Sequence, residues 1–442
     1  MVGELNNWSL DHLVPGWVKV AGSLCIYLVL AQAALAGKSA PYGEYFVRVD
    51  ERWPDAGAVR SEPEADAGSA AQDNASFQTQ LSRLEAQGGP YADGLAEPLA
   101  DLARLHRRSG DVAQAQQAYQ RALHVVRIND GLYSERQVPI LRELFETYRM
   151  TGDLAALDAR YNYFFRLYGN GQPPYTPLRV GAALEYLRWQ REALRLELDE
   201  RDTERVINLY SVNDQLLRSA ATDPAVSLDS YRGLVLSQLR NLYLIQSRYD
   251  PGKESKGVMT QVASSTPWDE QDTGQRRLET YQRNALKYGR EILKDLIDRT
   301  PDSDVAGTAA AWLELADWNQ WNDRRADALD AYRKVDSLLR EAGEEALLAA
   351  WLGQPVELPA NGAFWQPRPA AVDIEPSVVR ARYDVSASGR ADNIEVTEVS
   401  GVDESKLGRV RRNLAQTRFR PRILDGEPEP QLQLQRDYQV LY

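Results

Sequence analysis

The residue types that carry most metal and nucleophile chemistry are scarce in this chain. It has one cysteine, Cys25, and three histidines, His12, His106 and His124. Metal sites and general bases depend heavily on histidine and cysteine, so this scarcity argues against a zinc cluster, a thiol nucleophile or a disulfide framework. The sequence also contains no phosphate-binding glycine loop, dinucleotide fingerprint or nucleophile elbow. We therefore predict no catalytic, cofactor-binding or metal-binding residues.

Carboxylates are the remaining candidates for chemistry, because they are abundant. The chain has 64 Asp and Glu residues and 52 Lys and Arg residues, which give a net charge of -12. A pair such as Glu185 and Glu192 could be chosen as acid and base, but carboxylates are expected on exposed helix faces and no pair stands out. An acidic chain repels the phosphates of nucleic acids and of anionic lipids. The sequence predicts a protein that is not an enzyme and binds no nucleic acid; a carboxylate-based cell-wall hydrolase is the enzymatic alternative.

The sequence has one basic cluster, made of Arg409, Arg411, Arg412, Arg418, Arg420 and Arg422. A functional interpretation is contact with an anionic cell-wall polymer or an acidic partner. The alternative, which we favour, is a solvated helix face whose arginines pair with nearby Asp and Glu.

An apolar run near the N-terminus, residues 20–36, follows Lys19 and reads VAGSLCIYLVLAQAALA. It ends in Ala-Leu-Ala before Gly37, and small residues at those positions suit signal peptidase. We predict a signal peptide over residues 1–36, cleaved after Ala36. The alternative is an uncleaved inner-membrane anchor, for which this run is at the short limit of length. Both interpretations place the rest of the chain in the periplasm.

Residues 37–90 are rich in small and acidic residues, as in DAGAVRSEPEADAGSAAQDNAS, and hold few large apolar side chains. Such a composition cannot bury enough surface to offset the entropy lost on ordering. We predict a flexible acidic linker.

Residues 91–350 show apolar positions at spacings of three and four, typical of amphipathic helices. Small and aromatic residues flank a glycine turn at Ala103, Gly110, Ala115, Tyr119 and Ala122. A second set keeps this register at Trp312, Ala316, Ala328 and Tyr332, with Asp323 in place of the turn glycine. These positions resemble the tetratricopeptide repeat (TPR) family, whose helix pairs stack into an α-solenoid. The resemblance implies a concave protein-binding surface, although aromatic residues such as Tyr119 are expected in the core.

The pattern changes after the helices. Residues 351–375 contain several prolines and are predicted to form a linker. In residues 376–442, Val379, Ala381, Tyr383 and Val385 alternate with polar residues, which predicts a strand with one buried face. A second strand around Ile394 is expected to follow.

A helix and a terminal strand complete the C-terminal region. The helix is predicted around Leu407, Val410 and Leu414, and the strand over residues 431–442 has Leu432 and Leu434 on its inner side. The predicted class is mostly α, an α-solenoid followed by a small α+β domain with an antiparallel sheet.

Residues 382–442 resemble the C-terminal domain of TonB-type energy transducers. The shared landmarks are a glycine between two strands, a Ser-Gly pair, a Phe-x-Pro motif and a glycine turn, at Gly389, Ser400, Gly401, Phe419, Pro421 and Gly426. The resemblance implies a periplasmic domain that binds an extended segment of an outer-membrane receptor by strand addition at a sheet edge. Domains of that family often self-associate, so self-association is left open.

The terminal strand is the expected partner-binding edge. Its outward residues are polar, namely Gln433, Gln435, Asp437 and Gln439. The alternative is that this strand lies inside the sheet.

The chain also departs from TonB transducers. Helical repeats stand where those proteins carry a Pro-rich, charged segment, and the apolar run has Ser23 but no histidine for coupling to inner-membrane motor proteins. We predict a periplasmic scaffold or adaptor, linked to outer-membrane transport, whose repeats bind one envelope protein and whose terminal domain binds another or the cell wall. The alternative is an inner-membrane-anchored energy transducer that drives TonB-dependent receptors.

Overall fold

The computed structural model describes residues 46–48, 67–196, 198, 202–248, 270–364, 377–400 and 404–440. The predicted signal peptide or anchor, residues 1–36, lies outside these ranges, and so does Gly401. Within them the chain is mostly helical and ends in a small region of antiparallel sheet, which confirms the predicted class at that level.

Thirteen α-helices are found in the described residues. They are α1 (Ala67–Gly88), α2 (Ala96–Arg108), α3 (Val112–Asp130), α4 (Val138–Thr151), α5 (Leu154–Leu167), α6 (Pro177–Arg195), α7 (Asp202–Thr222), α8 (Leu228–Arg248), α9 (Glu270–Arg299), α10 (Val305–Trp321), α11 (Arg325–Glu341), α12 (Glu345–Leu352) and α13 (Glu404–Gln416).

Two helix junctions are built from the same Gly-Asp dipeptide. Gly110 and Gly152 follow α2 and α4 with left-handed backbone, at φ values of 81° and 70°. The next residue then caps the following helix: Asp111 accepts the main-chain N–H of Gln114 at 3.2 Å, and Asp153 caps α5 in the same way. A left-handed glycine and an Asp cap satisfy the loose ends of the two helices, so a single tight turn joins them.

Each helix from α1 to α11 packs on the next helix in sequence. The helices share three cores among the described residues. The first, from α1 to α6, contains Tyr119 and Trp189; the second, from α5 to α10, contains Tyr243 and Trp318; the third, from α10 to α12, contains Tyr332. Because each helix buries its apolar face on its neighbours, stability depends on the whole stack.

Helix α1 corrects the predicted linker over residues 37–90. Phe77, Leu81 and Leu84 lie on one face of α1 and join the first core, where Leu81 is 4% exposed. The average composition of the segment concealed this stripe, since three well-spaced apolar residues are enough to dock a polar helix. The linker prediction is therefore wrong for residues 67–88.

Eight strands are found in the described residues: β1 (Phe46–Arg48), β2 (Val356–Glu357), β3 (Ser377–Val385), β4 (Ala391–Ser400), β5 (Phe419–Arg420), β6 (Arg422–Leu424), β7 (Glu427–Glu429) and β8 (Gln431–Val440). Strands β1, β8, β3 and β4 form one antiparallel sheet in that order, while β2 pairs with β5 and β6 with β7.

The alternation predicted for β3 is confirmed. Val379, Ala381, Tyr383 and Val385 are at most 1% exposed. Helix α13 covers this face of the sheet with Val410 and Leu414, which are also buried. The predicted order of strand, strand, helix and strand corresponds to β3, β4, α13 and β8.

Residues 353–364, which belong to the predicted proline linker, pack against the rest of the protein. Leu358 is fully buried, and Ala363 and Phe364 belong to the second helical core. The prolines indicated a break in the helix, but the apolar residues between them bind this segment to the surface. The linker prediction over 351–375 is wrong for this part.

We predict opposite effects of alanine at two glycines that both have room for a methyl group. A Cβ at Gly110 or Gly181 would meet no atom within 4 Å, so the backbone conformation alone determines how alanine changes the free energy of unfolding. Gly110→Ala should destabilise by about 1 kcal/mol because of its left-handed φ. Gly181→Ala, within α6, should stabilise by about 0.5–1 kcal/mol. Urea unfolding measures both, and a change of the same sign would contradict the assignment of the turn.

Candidate functional site: the C-terminal sheet and its junction with the helices

The terminal strand β8, the predicted partner-binding edge, lies inside the sheet at its carboxyl end. Strand β1 pairs with it antiparallel, in the register Phe46 to Val440, Val47 to Gln439 and Arg48 to Tyr438. The prediction of a free edge is wrong for residues 438–440, because a segment assigned to the N-terminal linker adds to the sheet there.

Residues 431–437 of β8 have no strand on their outer side among the described residues. In this part Gln433 and Gln435 are exposed. Asp437 accepts two hydrogen bonds of 2.7 Å from Arg380 of β3, and these lower the pKa of Asp437. The structure does not describe the side chain of Gln439. Of the three predicted residues whose side chains are described, Gln433 and Gln435 are exposed and Asp437 is half-buried.

An irregularity at Gln433 changes which side chains of β8 face the core. Its φ is 51°, and its main-chain N–H donates to Asp384 Oδ1 at 2.7 Å. Leu432, predicted to face inward, is 65% exposed. That prediction is wrong because a bulge interrupts the two-residue alternation of a strand.

The opposite edge of the sheet is β4. It pairs with β3 on one side and with no described strand on the other. Its exposed side chains include Glu395, Thr397 and Val399. An unpaired strand presents a row of main-chain donors and acceptors to another chain. The sheet therefore offers two edges, β4 along its length and residues 431–437 of β8.

Glu357 of β2 holds β8 from the inner side of the sheet. Its Oε1 accepts the hydroxyl of Tyr438 at 2.8 Å, and the hydroxyls of Tyr438 and Tyr383 are hydrogen-bonded at 2.8 Å. Arg436 forms an ion pair with the same carboxylate. Burial raises the pKa of Tyr438 well above its ordinary value, so its hydroxyl stays protonated and donates.

The C-terminal domain is joined to the helices by Arg420, which is 1% exposed. Its Nε and Nη2 donate to the two carboxylate oxygens of Asp317 in α10, at 2.8 and 2.5 Å. Its Nη1 donates to the carbonyl of Trp351 at 2.6 Å. Tyr332 of α11 donates to Asp317 Oδ1 at 2.9 Å. A two-pronged pair with these extra hydrogen bonds satisfies both buried charges.

The six arginines of the basic cluster do not lie on one helix face, because Arg418, Arg420 and Arg422 follow α13 in the chain. These three pair with Asp or Glu, as the favoured interpretation expected of the cluster. Arg418, together with Arg390, contacts Asp323 at the end of α10, at 2.5 and 2.8 Å. Burial alone would raise the pKa of Asp323, but the two arginines lower it. Arg422 lies 3.8 Å from Glu429. The chain from residue 418 to 422 turns toward the helices, and the cluster members left exposed on α13 are Arg409, Arg411 and Arg412.

Two of the TonB-like landmarks, Gly389 and Phe419, lie at this junction. Gln320 of α10 donates from Nε2 to the carbonyls of Ser388 and Phe419, at 2.9 and 3.0 Å. Gly389 has a φ of 73°, and a Cβ there would collide with the Phe419 carbonyl and the Gln320 side chain. The remaining landmarks are Pro421, which is buried, Gly426, in the turn between β6 and β7, and Ser400, the last residue of β4.

The positions of the repeat resemblance lie in helix–helix contacts. Ala103, Ala115, Tyr119 and Ala122 of α2 and α3 have no exposed surface. In α10 and α11, Ala316, Ala328 and Tyr332 are at most 1% exposed, and Trp312 is half-buried. Asp323 takes a left-handed φ of 56° in the turn between these helices, as Gly110 does in its own turn. Tyr119 and Tyr332 are core residues, as predicted.

Sequence reasoning missed Asp317 and Glu357. Asp317 carried a signal, because α10 reads VAGTAAAWLELADWNQW and a helix that is apolar nearly all round is buried. The carboxylates of this helix, on Glu314 and Asp317, therefore needed hydrogen-bond or ion-pair partners. Glu357 carried none, since its partner Tyr438 is 81 residues away in the chain.

The chain matches no protein-family model, and a comparison with curated proteins finds no relative. In the described ranges, none of the helices has both the length and the apolar character needed to cross a membrane. The same residues contain no group of three or more His, Cys, Asp or Glu side chains that could hold a metal ion.

Removing the charge of Arg420 is expected to weaken the junction strongly. Arg420→Met leaves Asp317 buried without a cation, which costs about 3–5 kcal/mol. The double variant Arg420→Met/Asp317→Leu should recover most of this loss, since no unpaired charge is left. Arg422→Met is the control, with a loss below about 1 kcal/mol for its partly exposed pair. Urea unfolding tests this, and equal losses in the single and double variants would refute the pairing.

Proposed function

We propose that this protein is an exported scaffold of the bacterial envelope, whose C-terminal sheet binds an extended segment of a partner protein by strand addition. The observation that carries the proposal is the pairing of β1 with β8, in which an extended segment of the chain itself already adds to the sheet. Beside it, residues 431–437 pair with no outer strand among the described residues, and a further strand could use their main-chain groups.

Strand addition divides the recognition between main chain and side chains. Main-chain hydrogen bonds supply affinity regardless of the partner's sequence, while side chains that flank the edge supply specificity. Here the flanking side chains are Gln433 and Gln435, which are uncharged and exposed. A partner segment with polar or amide side chains suits this edge.

The helical part supplies a second surface in this proposal, formed by TPR-like helix pairs. Large apolar side chains are exposed near the end of α3, at Tyr91, Ile128, Leu132 and Tyr133, with exposures of 48%, 49%, 60% and 70%. Exposed apolar residues that lie together on a soluble surface are typical of a protein contact. This end of the helical stack is where we expect a second envelope protein to bind.

The alternative is an inner-membrane-anchored energy transducer of the TonB type. If residues 20–36 stayed in the membrane, residues 37–45 could span at most about 30 Å before β1 begins at Phe46. The pairing of β1 with β8 would then hold the sheet close to the inner membrane. Reaching an outer-membrane receptor would require β1 to detach, so the observed pairing favours the scaffold.

Photo-crosslinking in cells that make the full chain tests the binding edge. A photoreactive residue in place of Gln435 should form covalent adducts with a second envelope protein, since this side chain would lie beside an added strand. A photoreactive residue in place of Thr397 tests the β4 edge in the same way. A photoreactive residue in place of Thr280, which is exposed on α9, is the matched control. Adducts at Thr280 with none at Gln435 or Thr397 would rule out strand addition.

The N-terminal sequence of the protein recovered from envelope fractions separates the scaffold from the transducer. We expect an N-terminus at Gly37 in the soluble periplasmic fraction, because the Ala-Leu-Ala triplet suits signal peptidase. A protein that keeps Met1 and fractionates with the inner membrane would overturn the scaffold and make energy transduction the leading hypothesis.

A further inference from the structure

The bulge in β8 lies opposite Asp384 of β3. Tyr383 of β3 pairs with Leu434 of β8. Val385, two residues further along β3, pairs with Gln431, which is three residues from Leu434 on β8. One residue of β8 is therefore extra and takes no part in the regular pairing. Because the side chains of a strand alternate with a period of two, an extra residue changes which side chains face the core.

The strand on the other side of β3 is irregular at the same level. The register between β3 and β4 shifts beside Asp384, which pairs with Asp392. Asn393, the next residue of β4, has a left-handed φ of 52°, and Gln433 of β8 has one of 51°. Residues other than glycine rarely take this conformation, and it persists where neighbouring groups hold it in place.

The carboxylate of Asp384 holds both irregular segments. Its Oδ1 accepts the main-chain N–H of Gln433 at 2.7 Å, and its Oδ2 accepts Nδ2 of Asn393 at 2.7 Å. The hydrogen bonds from Asn393 and from the main chain of Gln433 lower the pKa of Asp384, so the carboxylate is ionised at neutral pH. Since each oxygen binds a different strand, one side chain sets the path of both β4 and β8.

The bulge in β8 leaves Leu432 exposed. Leu434 and Tyr438 face the core, so regular alternation would turn Leu432 inward as well. Leu432 is instead 65% exposed, more than any other large apolar side chain described in residues 377–440. A single exposed leucine is common on proteins. Here, however, a left-handed residue and a carboxylate keep it exposed, and bulges often redirect a side chain next to a functional site.

Leu432 lies in the part of β8 that has no outer strand among the described residues. Strand β1 pairs with residues 438–440 of the same edge, so a partner strand on residues 431–437 would continue the line of β1. Neighbouring side chains of paired strands contact each other across the pairing. An apolar side chain of the added strand beside Leu432 would therefore remove both apolar groups from water.

We propose that Asp384 positions Leu432 as the apolar anchor of the β8 edge, so that this edge selects an extended partner segment with an apolar side chain beside Leu432. The inference rests on the proposed strand addition and adds one requirement to it, since Gln433 and Gln435 favour polar groups at other positions. Asp384 is a positioning residue, because it acts through the main chain of Gln433.

Thiol labelling tests the positioning without any partner. In the full chain with Cys25→Ser, a Leu432→Cys variant should react with a maleimide as fast as a Thr280→Cys control. Adding Asp384→Ala should slow labelling at position 432 at least about fivefold, because regular alternation turns this position inward. Asp384→Asn keeps an oxygen for the Gln433 N–H and should restore fast labelling. Equal rates with and without Asp384→Ala would overturn the role of Asp384.

Photo-crosslinking from position 435 in cells tests the selection. Leu432→Gln and Asp384→Ala should each lower the yield of the adduct with the partner protein at least about fivefold, because they remove the apolar contact. Leu424→Gln, which removes another exposed apolar side chain of this domain, is the matched control and should leave the yield unchanged. Mass spectrometry of the adduct identifies the partner segment, and glutamine in place of its apolar residue beside position 432 should lower the yield similarly.

The outcomes separate this inference from the proposed function. Equal adduct yields in the wild type and all variants would retain strand addition and overturn the anchor. Adducts with a second copy of this chain alone would overturn the partner protein as the occupant. If position 435 gives no adduct even in the wild type, strand addition at β8 is wrong, and the anchor fails with it.

Discussion

The ion pair between Arg420 and Asp317 determines how the two parts of this protein fit together. Helix α10 is apolar on nearly all sides, so an ionised Asp317 within it requires a cation. The guanidinium comes from a strand 103 residues later in the chain. Because both oxygens of the carboxylate are used, the pair fixes the orientation of the strand as well as its position.

The same helix supplies further contacts at regular intervals. Gln320 binds main-chain carbonyls of the C-terminal domain, and Asp323, in the turn after α10, binds two of its arginines. Asp317 and Gln320 are three residues apart, which places them on one side of the helix, and Asp323 follows in the turn. Helix α10 thus supports the C-terminal domain, and the TonB-like landmarks Gly389 and Phe419 lie against its Gln320. A sheet held in this way keeps β4 and residues 431–437 of β8 without an outer strand among the described residues.

Arg420 and Arg191 illustrate two ways of placing a cation inside a protein. Arg420 is satisfied by the chain itself, so it contributes to the relative position of the two parts. Arg191 is held instead by the neutral oxygens of Ser237 and Asn241 on α8.

Local patterns in the sequence determined the helical elements, their Gly-Asp turns, the alternation of β3 and the order of the C-terminal elements. Each depends on contacts or backbone conformations within a few residues, so the spacing of residue types is sufficient to predict it. The packing of α1 and of residues 353–364 was missed because average composition hides a few well-spaced apolar side chains. Tertiary structure alone decided the partner of Arg420, the position of β1 beside β8 and the hydrogen bonds of Arg191 to α8. These contacts depend on which distant segments of the chain pack together. A local sequence pattern does not specify which charged group will pair with a buried side chain.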